Sequence, residues 1–443
     1  MVVMNKITHA LMSILFTPVY QDQDVLICYA SQTGTAANLA AQSGDIARQM
    51  GRSANVSSLS SLKPSDFNTY KQVLMIVSTC GEGEIPDDGK LFYEQLKAFP
   101  SLSIPISLFA LGDQSYTHFC LAGKLMHKEL KRMGAVGEET PTMVSGNPIE
   151  AWRDWLSIQL DQAIEKDQTK SLYTPVTLVL AAKRPLHNLT MDNAGSCNQA
   201  YHLTFDIVQD QNEPYKVNDL ISVTPPGNNK ERLYSVASSP SANKKQISLC
   251  IAKHQFMQNG KLTNGLCSDY LTQQLCVGQE FIGSIKTGAG MPLPNRETPA
   301  ILIATGADIA PMMSVLEERK QQQHSGQNWL IFGNRYSDRD FYYQQELNQY
   351  VTDGTISQFD TAFSRDSEQK VYVQDKLKSK QAQLAEWLLN QNAQLYVCGR
   401  PELKREILAI ITQALEASLL NRQEAETLVN KMLDNKQITF ELF

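Results

Sequence analysis

No apolar run in the sequence is long enough to cross a bilayer. The best candidate, residues 10–20 (ALMSILFTPVY), falls well short of the roughly 20 residues a spanning helix needs. Lys6 precedes it, but no small-x-small cleavage site follows, so it does not read as a secretory leader. It reads as a short helix packed on the first domain, with weak peripheral membrane contact as the other reading. Clustered cysteine is missing too. The eight cysteines stand at 28, 80, 120, 197, 250, 267, 276 and 398, with no CxxC pair and no regular spacing. That argues against a disulfide framework and against any zinc site, and for a reducing, cytoplasmic compartment. Basic clusters are absent as well. The 40 Lys and Arg against 46 Asp and Glu leave a formal charge of −6, the wrong sign for a general nucleic-acid binder. No internal repeat or low-complexity tract is evident. The remaining composition, 42% hydrophobic and 19% charged, excludes disordered and fibrous classes. For 443 residues, at ~150 per domain, about three domains are expected.

From 24 to about 165, short β-rich runs alternate with helical segments. DVLICYA (24–30), KQVLMIVS (71–78) and ISLFALG (106–112) are continuous apolar runs bounded by turn residues, the pattern of strands buried on both faces of a parallel sheet. Between them, 36–50, 89–99 and 121–134 have helical spacing. The alternation predicts a doubly wound α/β unit, whose ligands sit at the carboxyl ends of the strands. A polar stretch, EKDQTKSL (165–172), carries the expected linker, 166–172. From 173 to 295, short strands predict an antiparallel β-barrel. From 296 to 443 the α/β rhythm returns, with strands at 299–306, 328–335, 355–365 and 393–399 and a helix over 311–323. The expected fold is multidomain: an N-terminal extension (1–23), a doubly wound α/β domain (24–165), the linker, the barrel and a second α/β domain.

Chemistry gathers at the strand ends. Ser31, Gln32, Thr33, Gly34, Thr35 and Ala36 join a strand to a helix. Their hydroxyls and N–H groups, with the positive end of the helix, can hold a phosphate without lysine, or simply cap the helix. Ser78, Thr79, Cys80 and Gly81 lead into Glu82 and Gly83, where glycine lets backbone approach a flat ligand. Leu111, Gly112, Asp113, Gln114, Ser115, Tyr116, Thr117, His118, Phe119 and Cys120 carry aromatics able to cover a ring. In the barrel, Arg232, Leu233, Tyr234 and Ser235 combine a cation for pyrophosphate, an aromatic face and a hydroxyl. Gly265, Leu266, Cys267 and Ser268 open a helix suited to the same pyrophosphate. In the last domain, Ser364 and Arg365, then Lys370, Val371, Tyr372, Val373 and Gln374, place two cations and hydroxyls where a phosphate dianion could bind.

These motifs resemble those of the diflavin reductases: NADPH–hemoprotein reductases, the flavoprotein subunit of sulfite reductase and the reductase half of nitric oxide synthase. The resemblance runs from 24 to 443. It implies a flavodoxin-like FMN domain, a ferredoxin–NADP reductase-like FAD barrel and an NADP-binding domain. In that reading 31–36 hold the FMN phosphate, 78–81 and 111–120 flank the flavin, and Tyr116 stacks on it. Position 80, aromatic in some relatives, is Cys80. Arg232 to Ser235 and Gly265 to Ser268 hold FAD. Ser364, Arg365 and 370–374 recognise the 2′-phosphate of NADPH, beside Phe332, Gly333, Asn334 and Arg335. The resemblance further implies a hydride-transfer set of Ser235, Cys398 and Glu441, with Phe443 as the aromatic lid on FAD.

The departures are equally specific. The family's GxGTGIAP is Ala304-Thr305-Gly306-Ala307-Asp308-Ile309-Ala310-Pro311 here, which sets an acid where pyrophosphate is expected. FRLP becomes Met291-Pro292-Leu293-Pro294, and Arg400-Pro401 replaces an acidic residue after Cys398-Gly399. The helical connecting segment of larger relatives is missing between Pro225-Pro226-Gly227-Asn228 and Arg232, which leaves the linker to place the flavin domains. The expected function is electron transfer from NADPH through FAD and FMN to a redox acceptor, such as a heme protein or another metalloprotein. A partner-free reductase of quinones, ferric chelates or oxygen is one alternative. A flavin relay with impaired nucleotide binding is another. The acids Glu82, Glu84, Asp87 and Asp88 either steer a basic partner or only solubilise the domain.

Overall fold

The computed structural model describes residues 23–443 apart from 33, 81–82, 115–116, 136–138, 189–197, 209–214, 229–230, 259, 287–290, 419–420 and 443. The chain divides after Lys170 into two units. In the first, β1 (Gln23–Ala30), β2 (Ala54–Ser58), β3 (Tyr70–Ser78), β4 (Ile106–Leu111) and β5 (Thr142–Val144) form a parallel sheet in the order 2-1-3-4-5. Helices α1 (Thr35–Gln49), α2 (Asp87–Ala98), α3 (Leu121–Arg132) and α4 (Ile149–Leu160) complete the unit. The three apolar runs are its central strands, because both faces of β1, β3 and β4 are covered. Each fully buried Leu or Ile there contributes about 1.5–3 kcal/mol. The edge strands β2 and β5 and helix α4 escape the sequence pattern, since ANVSS and TMV are short and half-buried. Helix α4 is fixed by Trp152, whose indole N–H donates to Ser43 Oγ on α1 at 3.0 Å.

The second unit begins with β6 (Tyr173–Pro185), β7 (Ala200–Ile207), β8 (Leu220–Val223), β9 (Arg232–Ser235), β10 (Gln246–Ala252), β11 (Gln255–Gln258), β12 (Lys261–Asn264), α5 (Leu266–Asp269) and β13 (Glu280–Lys286). Six of these strands form an antiparallel sheet, 10-7-6-13-8-9. The Val236–Leu249 bridge brings its ends together into a nearly closed barrel. The hairpin β11–β12 stands outside that sheet and leaves no strand pattern in the sequence, because its side chains are largely exposed.

The unit continues with β14 (Ala300–Thr305), α6 (Ala310–Gln321), β15 (Asn328–Asn334), α7 (Gln344–Thr352), β16 (Gln358–Phe363), α8 (Val373–Ser379), α9 (Gln381–Leu389), β17 (Gln394–Gly399), α10 (Pro401–Ala417), α11 (Arg422–Asp434) and β18 (Ile438–Leu442). The strands form a parallel sheet, 16-15-14-17-18. Its order reverses at β14 and β17, the crevice where doubly wound sheets bind ligands. This α/β part of the unit meets the barrel through polar contacts: Ser314 Oγ donates to the Ser238 carbonyl at 2.8 Å, and Ser239 N–H to Glu317 at 2.6 Å.

The polar stretch read as a linker is partly structured. Residues Lys166–Gln168 form a 3₁₀ turn, and the Lys170 backbone exchanges hydrogen bonds with Gln42 of α1 at 2.7 and 3.1 Å. Polar composition marked the surface but not this pinning. No helix among the described residues is long and apolar enough to cross a membrane. Residues 10–20 lie outside the described part.

Candidate functional site

Three loops meet at the carboxyl edge of the first sheet. After β1, Gly34 adopts φ +77° as the residue preceding α1, a conformation only glycine takes without strain. The Ser31 N–H donates to both carboxylate oxygens of Asp88, at 2.9 and 3.1 Å, and Ser58 Oγ donates to Asp88 at 3.2 Å. Asp88 lies in the first turn of α2, where the helix dipole favours a negative charge. This acid therefore organises the loop from within, a role the reading of it as a steering or solubilising charge missed. Gln32 and Thr35 are half-buried and Ala36 is buried.

The loop after β3 closes on itself, with Cys80 N–H bonded to Glu84 O at 3.0 Å and Glu84 N–H to Cys80 O at 2.7 Å. In the loop after β4, Gly112 N–H donates to Val144 O at 3.1 Å and Gln114 N–H to Ser145 Oγ at 3.1 Å. A methyl group on Gly112 would sit 2.7 Å from the Cys120 backbone nitrogen, so only glycine fits. Leu111 and Cys120 are buried and Phe119 half-buried under Lys124, while Asp113, Gln114, Thr117 and His118 are exposed. His118 also lies against Gly83, so the second and third loops touch. The hydroxyls of Ser31, Ser78 and Thr79 are buried without a hydrogen-bond partner. Thr33, Gly81, Glu82, Ser115 and Tyr116 lie outside the described residues.

In the second unit, β9 and α5 come together. Arg232 is exposed, Leu233 and Tyr234 half-buried and Ser235 buried. Burial raises the Tyr234 phenol well above its ordinary range, and the charges of Cys267 and Arg232 bear on it. Burial likewise raises the Cys267 thiol, against the pull of Arg232. The Ser268 hydroxyl is engaged locally, donating to Gly265 O at 3.0 Å and accepting from His254 N–H at 3.2 Å. It shapes the turn, while Leu266 is exposed at its mouth.

At the edge of the last sheet, the Ser364 N–H donates to Asn334 O at 3.0 Å and the Arg365 N–H to Arg335 O at 2.8 Å. The Arg365 guanidinium lies 6.0 Å from the Tyr336 ring centre. Lys370 and Tyr372 are exposed, Val371 and Gln374 half-buried. Val373 is different: it is buried in the domain core and packs where a Gly333 side chain would otherwise stand.

The three residues expected to act together do converge. Ser235 ends a barrel strand, and its hydroxyl donates to Glu441 Oε1 on β18. Glu441 stands beside Cys398 across the β17–β18 register, and Cys398 beside Ala304 across β14–β17. Glu441 is only 8% exposed, and its second oxygen, Oε2, has no hydrogen-bond partner. Burial pushes its carboxyl up to about 7, with Asp308 adding to the rise and Ser235 opposing it. Burial, Glu441 and Asp308 together hold the Cys398 thiol well above its usual range, so it remains a neutral thiol. The site pairs a protonatable carboxylate with a hydroxyl and a thiol, an arrangement that can place and electrostatically support a charge-changing ring. Phe443 lies outside the described residues.

Sequence comparison bears on these regions. The flavodoxin family model matches residues 27–148, and that of the oxidoreductase NAD-binding domain matches 302–408. The chain is 26% identical to the sulfite reductase [NADPH] flavoprotein alpha-component of Bacillus subtilis, over 94% of this chain and 88% of that protein. It is 25% identical to NADPH oxidoreductase A of Dictyostelium discoideum, over 93% and 88%. The protein from Mannheimia succiniciproducens that shares the Bacillus protein's description is 24% identical, over 94% and 89%. The Bacillus alignment spans 539 positions against the 443 residues here, so part of that relative faces no residue of this chain.

Proposed function

This chain belongs to the diflavin reductase family, and on that premise we propose that it is an NADPH-dependent oxidoreductase whose first unit holds FMN and whose second holds FAD and NADPH. The chemistry the two flavins would supply when bound is acceptance of a hydride from NADPH and passage of its two electrons, one at a time, to an acceptor, with the proton released to water. The residues present suit that cargo. Buried, unpartnered hydroxyls of Ser31, Ser78 and Thr79 await polar partners at the loop edge of a doubly wound sheet, as a phosphorylated flavin would offer. Arg232 beside the start of α5 supplies a cation and a helix N-terminus for a pyrophosphate. Arg365 and Lys370, with Ser364 and Tyr372, are the groups we assign to the 2′-phosphate. We take 173–295 as the FAD barrel and 296–443 as the nucleotide domain, with Phe443 as the aromatic lid.

In this assignment Ser235 and Cys398 orient the nicotinamide, and Glu441 supplies negative charge as the ring becomes cationic. The observation that carries the reading is the Ser235–Glu441 hydrogen bond, which joins the barrel's RxYS strand to the last strand of the nucleotide sheet. The acceptor we propose is a redox protein carrying heme or another metal centre, met in a reducing, cytoplasmic compartment. The cysteines among the described residues are free thiols, in keeping with that compartment. An anaerobic NADPH titration tests the whole. Uptake of about four electrons per chain is expected from two communicating flavins. Bound flavin that dithionite reduces but NADPH leaves oxidised would overturn the reductase assignment and favour the relay reading.

A further inference from the structure

The two departures at the switch point face one another. Asp308 lies in the 3₁₀ turn Gly306–Ile309, between β14 and the N-terminal end of the twelve-residue helix α6. Arg400 is exposed immediately after β17, the neighbouring strand. A side chain on Gly399 would meet Thr305 Oγ1 at 3.1 Å, so the end of β17 lies against the turn. Asp308 is half-buried and accepts a hydrogen bond from Thr305. On the far side of β17 stands Glu441, with its unpartnered buried oxygen.

We propose that Asp308 makes dinucleotide binding proton-linked: its carboxylate occupies the turn where the diphosphate would lie, and it takes up a proton as that anion enters. The inference rests on the nucleotide site assigned above. The turn packs on β10, β14, β15 and β17 and on the start of α6, whose charged residues Glu317, Glu318, Arg319 and Lys320 all lie in its far half. Across these elements the charge of Arg400, beyond β17, acts on Asp308, and the charge of Asp308 in turn bears on Cys250 on β10, Cys398 on β17 and Glu441 on β18. Strands β14 and β15 carry no titratable side chain. Of the facing groups only Arg400 is cationic, and Glu441 is a second acid. A diphosphate would therefore add like charge to a pair of carboxylates already in partial desolvation, and a proton is the least costly relief. Burial has already moved the Asp308 carboxyl in that direction, to about 6, with Arg400 and Thr305 opposing.

Calorimetry on the flavin-loaded protein tests this without turnover. The probes are a redox-inert tetrahydro analogue of NADPH and adenosine 2′-monophosphate, which carries the 2′-phosphate but no phosphate of the diphosphate. Between pH 7 and 8.5 the analogue should weaken by close to tenfold per pH unit, the limit for one proton. Buffers of different ionisation enthalpy should show about one proton taken up at pH 8. Asp308→Asn, or Asp308→Gly if the first variant folds poorly, should flatten the slope and tighten binding by up to about 100-fold at pH 8. The adenosine 2′-monophosphate slope should be the same in all forms. Analogue binding with no proton uptake, or an unchanged slope in the variants, overturns the proposal and leaves the nucleotide site intact. A slope kept in Asp308→Asn but lost in Glu441→Gln also overturns it, by placing the proton on the other acid. Failure of both probes to bind would sink the nucleotide-site reading itself, and the proposal with it.

Discussion

Replacing Glu441 by Gln should stabilise the second unit at alkaline pH and leave it unchanged in acid. In the unfolded chain the carboxyl titrates near its ordinary value of 4.5, and in the folded protein at about 7. Below 4.5 both states hold the proton, and the residue carries no charge burial penalty. As pH rises toward 7 the unfolded state ionises first, so stability is lost across that window and stays lost above it. A shift of this size corresponds to roughly 3 kcal/mol at 1.36 kcal/mol per unit. Glutamine keeps the shape and the bond from Ser235 without the charge. Hydrogen exchange at the β17 amides, corrected for intrinsic rates, reads the opening free energy of the sheet that β18 completes. The wild-type value should fall between pH 5 and 8 by roughly 3 kcal/mol more than that of Glu441→Gln. Adding Asp308→Asn should shrink the difference, because Asp308 contributes to the rise. The same pH dependence in both proteins would refute the reasoning.

Other consequences are checked more simply. Arg365→Ala should cut the preference for NADPH over NADH by at least tenfold, about 1.4 kcal/mol for one lost charge-assisted contact; an unchanged ratio would remove Arg365 from the 2′-phosphate site. Gly112→Ala should cost about 1–3 kcal/mol by urea unfolding of the first unit, since its methyl meets backbone rather than a movable side chain. FMN retention on a desalting column should fall in that variant, whereas Gly134→Ala, with nothing near its Cβ but a φ of +76°, should destabilise without releasing flavin. Asp88→Ala should leave the Ser31 N–H unpaired and cost about 1–3 kcal/mol, measured as a lower urea midpoint. Full stability there would mean the acid is only a surface charge.

The central strands were legible because burial on both faces writes an unbroken apolar run, as in LMIV of β3 or AILIA of β14. Strands β2 and β5 were not, because edge strands bury too little to leave a pattern, and the hairpin β11–β12 contributes Phe256, Met257 and Leu262 to the surface rather than to a core. At the sites, sequence placed the loops but not the partners. Asp88 looked like one member of an acidic run, and only the fold turns it inward to Ser31 and Ser58. Ser268 looked like a ligand group, but its hydroxyl is taken by Gly265 and His254. Val373 sat inside a motif of exposed polar residues, yet it fills the space beside Gly333. Each miss has the same origin: a hydroxyl, carboxylate or methyl has several possible partners, and strand order selects among them.

The clearest instance is the pair of departures that looked independent along the chain. Asp308 and Arg400 are ninety-two positions apart, and each alone reads as damage to a nucleotide loop. Strand order puts β14 beside β17, so the turn that gained an acid lies next to the strand end that lost one and gained a cation. The net charge of the crevice rim thus rises by one while its distribution is reversed. A rim of this kind still admits an anion, through Arg400, but it admits it against a carboxylate that must be neutralised. That converts an apparent defect into a dependence on pH, which a merely broken loop would not show.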